Sequence, residues 1–439
     1  MSDLTRTGST AFFTDQYELT MVQAALESGA AHRRSLFEVF GRRLPPGRRY
    51  GVVAGTGRIL EMLRDFRFDD AQLSFLSREG IVDSATIDWL ADYRFTGTIR
   101  GYAEGEIYFP GSPLLTIEAT FAEGVILETL TLSAMNYDCA VASAASRMAQ
   151  AAGDRPCAEM GSRRTNERAA VAAARAAVIG GFSSTSNLAA GLSYGLPTIG
   201  TSAHSFTLLH DSEREAFAAQ LRSLGTDTTL LLDTYDVEQA LATAIDLAGG
   251  SLGGVRIDSG DLVEQASEVR AGLDRLGAHD TKITVTSDLD EYAIAALAAS
   301  PVDGYGVGTR VVTGSGAPAA GLVYKLVARA DESGTWTSVA KSSQGKPSRG
   351  GHKSAMRLVD GAIAVEEAVG VPRLPSDVGD GRPLTVDLVV DGEIDESFTG
   401  AAGVKRACAR HDESLAELPR SARRLQDGEP AIPTVFYTD

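Results

Sequence analysis

Cysteine is scarce: Cys139, Cys157 and Cys408 are the only three in 439 residues. Their odd number and wide spacing exclude a disulfide framework and a zinc knuckle, and they fit a reducing compartment. No apolar run is long enough to span a bilayer. The N-terminal MSDLTRTGST lacks the charged-then-apolar layout of a signal peptide, so a cytoplasmic protein with no membrane partner is expected. Positive charge is in deficit as well. A formal net charge of −17 opposes the basic face that a phosphate backbone requires, so nucleic acid is not an expected partner. Internal repeats and low-complexity linkers are missing too.

What is present is the composition of a globular protein, 44% hydrophobic and 23% charged. The length exceeds one ordinary core and leaves room for a barrel of roughly 200 to 250 residues plus a second domain. Between Arg155 and Leu326 short β-prone runs alternate with helical segments. The strand candidates are PCAEM, PTIGTS, TTLLLDT, GVRIDS, KITVTS and GYGVGT. That alternation predicts parallel βα units, and most of the chemically suggestive residues fall at the carboxyl ends of the strands, the active-site face of an α/β barrel.

The central stretch Glu159–Phe206 is the densest. Adjacent Arg163 and Arg164 can offer two planar forks to phosphate oxygens. Gly180, Gly181 and the run from Ser183 to Asn187 leave amides and hydroxyls uncovered for an anion. After Pro197, Thr198–Gly200 is expected to form a short strand that delivers His204 through Thr201, Ser202 and Ala203. His204 is either structural or points into a site. The other five histidines, His32, His210, His279, His352 and His411, lack partners at metal spacing and are expected at the surface.

Further on, Arg256 and Asp258 stand two apart and so share one face of a strand. Asp258 could accept from sugar hydroxyls or hold a metal; a salt bridge or a helix cap is the alternative. Thr286, Ser287 and Asp288 lead into a helix N-terminus. Gly306, Gly308 and Thr309 belong to a glycine-rich strand end that makes a phosphate cradle if a helix starts there.

Toward the N-terminus, Thr14 or Asp15 can cap a helix that stops at Gly29, with Tyr17 in its first turn, either at the core edge or as an aromatic plate for a planar ligand. A strand over Ser35–Phe40 precedes a turn-rich loop whose four arginines, Arg42, Arg43, Arg48 and Arg49, are expected to be solvated. Residues Gly101–Thr120 read as a β-rich module and Phe121–Gly153 as helix. In that helix Asn136 bonds a neighbouring backbone or faces a ligand. After Lys325 the regularity stops. A hairpin around Asp331–Gly334, a basic loop over Lys341–Leu358 and a C-terminal segment are expected to pack back on the N-terminal module.

With these residues in view, the chain resembles the nicotinate phosphoribosyltransferase family. The matching stretches are TDQYELTM, GSRR…GGFSSTSN…GTSAHSF, LLLDTYD, VRIDSGDL, TSDLDEY, GYGVGT and GLVYKLV, in the family's order over most of the length. The resemblance implies an irregular α/β barrel of the type II phosphoribosyltransferase kind over 138–326, with a second α/β domain built from 1–137 and 327–439. It implies transfer from 5-phosphoribosyl 1-pyrophosphate to nicotinate, giving nicotinate mononucleotide and pyrophosphate in NAD salvage. ATP hydrolysis would be coupled through a phosphohistidine, with Mg²⁺, in a homodimer with shared active sites. Alternatives are transfer to nicotinamide or quinolinate, or a non-catalytic phosphosugar-binding barrel. By position, the resemblance makes His204 the phosphorylated histidine and Tyr17 the plate under the pyridine ring. Arg163 or Arg164 would bind the ring carboxylate or pyrophosphate, Arg256 and Asp258 the ribosyl pyrophosphate, and Ser287, Gly306 and Gly308 the 5′-phosphate. Asn136, Ser202, Thr286 and Thr309 complete the expected substrate contacts. Where relatives often read serine-glycine before DLDE, this chain has Thr286-Ser287.

Overall fold

The computed structural model describes residues 8–340 and 349–438. It divides into two compact units, Val141–Pro318 and the combination of Met1–Ala140 with Ala319–Asp439.

In the first of these, six short strands lie parallel: β1 (Cys157–Glu159), β2 (Ser184–Thr185), β3 (Thr229–Leu231), β4 (Gly254–Ile257), β5 (Lys282–Val285) and β6 (Gly304–Val307). Their spatial order is β2-β1-β6-β5-β4-β3. Helices such as Glu167–Ile179, Val237–Leu247 and Leu262–Arg275 return the chain between them, so each strand starts from the same end. This is the expected irregular α/β barrel. Strands buried on both faces need apolar side chains in succession. Val255, Ile257, Ile283 and Val285 are each fully buried, in a register pairing Val255 with Ile283 and Ile257 with Val285.

One strand expectation fails. Thr198–Gly200 forms no strand; Thr198 makes a single bridge to Thr185, and the sixth strand is Ser184–Thr185 instead. Pro197 cannot donate to a ladder and Gly200 has no side chain to pack, so the segment pairs at one residue only.

The second unit is built from both chain ends. Arg34–Gly41 pairs antiparallel with Leu322–Ala330 on one side and Leu115–Thr120 on the other, and Thr385–Val390 joins the same sheet beside Thr98–Tyr102. The boundary expected at 326 therefore falls inside a strand of this sheet, and the barrel unit ends at Pro318. The helix over Gln16–Glu27 buries Leu19, Val22 and Ala25 on one face, and Gly29 leaves it at φ +77°, a left-handed turn that glycine makes without strain. The arginine-rich loop is not wholly solvated: Arg48 is buried, and Arg49 donates to the carbonyls of Asp427 and Glu429. His411 is likewise buried rather than at the surface. Both sit in the folded unit where C-terminal residues return, which composition alone cannot show. Within the basic loop, 341–348 lie outside the described residues, and Ser354–Asp360 is a strand.

Candidate active site

The carboxyl ends of β1, β4, β5 and β6 surround a cavity of about 240 Å³ lined by Met160, Arg163, Arg164, Arg256, Asp258, Thr286, Ser287, Asp288, Gly306, Gly308 and Thr309. Nine of the thirteen residues expected from sequence meet here. Arg163 and Arg164 belong to a single 3₁₀ turn, Ser162–Arg164, that follows β1, and neither guanidinium has a side-chain partner among the described residues. Two free forks beside a half-buried third, Arg256, make the cavity an anion site by charge alone.

Packing explains why glycine stands at two positions. A Cβ on Gly306 would come within 2.5 Å of Thr286 Cγ2 and 2.8 Å of Met160 Sδ; one on Gly161 would meet Val312 Cγ1 at 2.2 Å. Strand β6 and the arginine turn can approach only without side chains there. Gly308 differs, since its added Cβ would rest at an ordinary 3.4 Å from the Met160 carbonyl. No packing demand applies at Gly308, and its bare backbone faces the cavity. The helix Thr309–Val312 starts directly after it, as the glycine-rich strand end requires of a cradle.

Ser287 has φ +132°, a conformation that L side chains rarely adopt and that costs of the order of 1–3 kcal/mol. It stands at the rim where β5 turns toward the helix Glu291–Ala296. That helix is capped by Asp290, which accepts from the amides of Tyr292 and Ala293.

Asp258 is half-buried. Its Oδ1 accepts from the Thr286 hydroxyl, and its other oxygen has no partner among the described residues. Burial lowers the pKa of Arg256 against the opposing pull of Asp258 and Asp233; a guanidinium remains charged regardless. Its Nη1 donates to Thr201 Oγ1 at 2.7 Å and its Nη2 to the Ser202 carbonyl at 3.0 Å.

Neither His204 nor Ser202 lines the cavity. His204 begins the short helix His204–Leu209, with Nε2 3.2 Å from Asp233 Oδ1. A carboxylate can only accept, so Nε2 carries a proton, and in the neutral imidazole the lone pair is on Nδ1. The side chain of Asp233 is 4% exposed, and its Oδ2 accepts from the Asp258 amide at 3.0 Å and the Ser259 hydroxyl at 2.6 Å. Asp233 escaped the sequence reading, although it stands in the LLLDTYD stretch at the end of β3, where a strand-end carboxylate was a signal available to find it. Asp288 was read only as part of the lead into a helix N-terminus, and Met160 was missed for want of any signal beyond adjacency.

Other expectations are corrected. In the run Ser183–Asn187, the side chains of Ser183, Thr185 and Asn187 are engaged by protein groups. Thr185 Oγ1 donates to the buried Glu159 at 2.5 Å, and the Asn187 side chain caps the next helix through the Ala190 amide. Asn136, in the other unit, exchanges both amide functions with the backbone of Leu322, accepting from its N–H at 2.8 Å and donating to its carbonyl at 3.3 Å. That is the structural alternative, with both the carbonyl and the amino group held by the backbone. Tyr17, in the same unit as Asn136, is 46% exposed. Partial burial, with Glu128 and Glu18 nearby, pushes its hydroxyl up to about 12, so it is a neutral phenol.

One acid near the Asp233 loop titrates close to neutrality. Burial, with Asp236 as the second cause, pushes Glu213 up to about 7, and its Oε1 is buried without a partner. The folded protein keeps this proton between the ordinary glutamate value, about 4.3, and 7, where the unfolded chain has lost it. The associated stability is complete at low pH and is lost as pH rises through 7. Glu213→Gln is therefore expected to raise Tm at pH 8 by a few degrees at most, with the gain vanishing at pH 4. Calorimetry at the two pH values checks this, and an equal gain at both would contradict it.

Comparison with known proteins follows the same lines. A family model described as the nicotinate phosphoribosyltransferase N-terminal domain matches residues 12–136. A nicotinate phosphoribosyltransferase of Mycobacterium tuberculosis is 53% identical over 431 residues, covering 96% of this chain and 94% of the relative. A crystal structure of human nicotinic acid phosphoribosyltransferase superposes with a TM-score of 0.79 at 27% identity, covering 97% of each chain. A nicotinate-nucleotide pyrophosphorylase structure from Pyrococcus furiosus, 22% identical with a TM-score of 0.75, covers 94% of this chain and 99% of its own and shares the fold. With more than half of its residues identical to such a relative across nearly the whole length, the chain belongs to the nicotinate phosphoribosyltransferase family.

Proposed function

We propose that the protein transfers the phosphoribosyl group of 5-phosphoribosyl 1-pyrophosphate to nicotinate, with ATP hydrolysis coupled through His204. The observation that carries this reading is the cavity itself. Three arginines, two carboxylates and a bare glycine strand end converge on a space fit for a sugar bearing phosphates at both ends.

In the transfer, the C1–O bond to pyrophosphate breaks with its electron pair leaving on the pyrophosphate, and the pyridine nitrogen lone pair forms the C1–N bond. No proton has to move. The centre passes through an oxocarbenium-like state, so the protein's tasks are placement and charge stabilisation. Arg163 and Arg164 supply free cations for pyrophosphate or the ring carboxylate. Asp258 accepts from ribose hydroxyls through its unpartnered oxygen. The backbone at Ser287 and Gly308 faces the 5′-phosphate.

Mg²⁺ fits this donor set in a particular way. Among the described residues no three His, Cys, Asp or Glu side chains gather around a common point, but Asp258 and Asp288 both line the cavity. One or two carboxylates are what a magnesium ion needs when phosphate oxygens complete its shell, and there it would neutralise charge building on the pyrophosphate. For ATP, the Nδ1 lone pair of His204 would take the γ-phosphoryl group as the bond to the bridging oxygen breaks and ADP departs. Later transfer of that group to water gives phosphate and restores the imidazole.

The test is nicotinate-dependent pyrophosphate release by the purified protein, with and without ATP, in competition with nicotinamide and quinolinate. Nicotinate is expected to be preferred, because a free arginine rewards the carboxylate and leaves an amide poorly paired. Turnover of nicotinamide but not nicotinate would overturn the choice of base, and ligand binding without pyrophosphate release would make the barrel a sensor.

A further inference from the structure

The segment that carries His204 is joined twice to the carboxyl end of β4. The first tie is Arg256, whose Nη1 and Nη2 are given to Thr201 Oγ1 and the Ser202 carbonyl, while its Nε is buried with no partner among the described residues. The second is Asp233, with one oxygen on His204 and the other on the Asp258 amide and Ser259 hydroxyl. Arg256 and Asp258 line the cavity; Thr201, His204, Asp233 and Ser259 do not. The four outer residues therefore close a ring of bonds around the two that would meet substrate. Every link in it is a hydrogen bond to a charged group, at 2.6 to 3.2 Å, and bonds of that kind cost more to break than neutral ones.

We propose that Thr201 and Ser259 are positioning residues that couple the state of His204 to the affinity of the cavity for ribosyl pyrophosphate, Thr201 through Arg256 and Ser259 through Asp233. The inference rests on the functional reading above. A doubly negative phosphoryl group on Nδ1 changes the charge beside Asp233. Asp233 cannot move without shifting the amide of Asp258, and the His204 segment cannot shift without drawing on the guanidinium of Arg256. Such linkage is reciprocal: whatever phosphorylation does to ribosyl pyrophosphate affinity, ribosyl pyrophosphate does to the phosphohistidine. Thr201 and Ser259 are the two members that can be changed without removing a charge or a group facing the cavity.

The experiment compares wild type with Thr201→Val, Thr201→Ser and Ser259→Ala. It reads the KM for ribosyl pyrophosphate with and without saturating ATP, and the moles of ATP hydrolysed per mole of pyrophosphate released. In wild type ATP is expected to lower that KM by at least about fivefold. In Thr201→Val and Ser259→Ala this ATP effect should fall below about twofold and the ATP consumed per product should rise, while kcat without ATP stays within about twofold of wild type. Thr201→Ser, which restores the hydroxyl, should restore both. A purely structural role predicts a lower Tm with an intact ATP effect and unchanged stoichiometry, and that result in both variants would overturn the proposal. If Thr201→Val does not fold, Ser259→Ala decides alone, since Ser259 is exposed. Absence of nicotinate-dependent pyrophosphate release in wild type would instead remove the functional reading, and this proposal with it.

Discussion

Asp258→Asn should lower kcat/KM for ribosyl pyrophosphate by about 100-fold or more while leaving the protein folded. The Thr286 hydroxyl donates to Asp258 Oδ1, and the asparagine oxygen can still accept it, so the contact between β4 and β5 survives. What changes is the other oxygen, which has no partner among the described residues, in a side chain that lines the cavity. In asparagine it becomes an amide NH₂, a donor where a ribose hydroxyl must also donate. Charge-assisted hydrogen bonds are worth about 1.5–3 kcal/mol each, and an unmatched polar group in a confined site adds the cost of its desolvation. A loss of about 100-fold corresponds to roughly 2.7 kcal/mol, near the strength of one such bond. Initial rates over a range of ribosyl pyrophosphate, with the Tm measured alongside, provide the check. A variant within threefold of wild type would mean that Asp258 serves only to hold Thr286.

His204→Ala is expected to abolish phosphoryl incorporation from ATP and all ATP stimulation, while a slow ATP-independent transfer persists. Nothing in the C1–N bond-forming step needs the imidazole, and His204 does not line the cavity that would hold the sugar. On the proposed function its contribution would be the coupling free energy, for which a typical span is 5- to 150-fold in affinity. The variant should therefore resemble wild type assayed without ATP. Labelling with γ-labelled ATP and paired rate measurements with and without ATP would show this; undiminished ATP stimulation in the alanine variant would refute the role given to His204. Asp233 is predicted by the same geometry to share part of the phenotype, since it holds Nε2 and so fixes which nitrogen presents its lone pair.

Most of the site was legible because strand-end chemistry is local. Arg256 and Asp258 are two apart on a strand, Gly306 and Gly308 close the next but one, and Arg163 follows β1 immediately; a regular βα repeat brings such positions to one rim whatever the intervening helices contain. Failures came where a side chain had two uses. Asn136 could serve a ligand or a backbone, and only the return of Leu322 to its side decided for the backbone. Ser183–Asn187 had the composition of an anion loop, yet Thr185 lies opposite Glu159 across the β1–β2 pairing and bonds to it.

By itself the sequence determined the alternation of strands and helices, the placement of Arg256, Asp258, Gly306 and Gly308 at strand ends, and the unsuitability of the chain for disulfides or a polyanion. These follow from periodicity, backbone stereochemistry and net charge, which are properties of neighbours along the chain. Tertiary structure alone decided that Arg48 and His411 are buried and that Asn136 is satisfied. It also decided that His204 stands outside the cavity, tied to it by Asp233 and Arg256. Burial and hydrogen-bond partnership depend on residues tens to hundreds of positions away, and no local pattern records which of several possible acceptors the folded chain will bring within 3 Å.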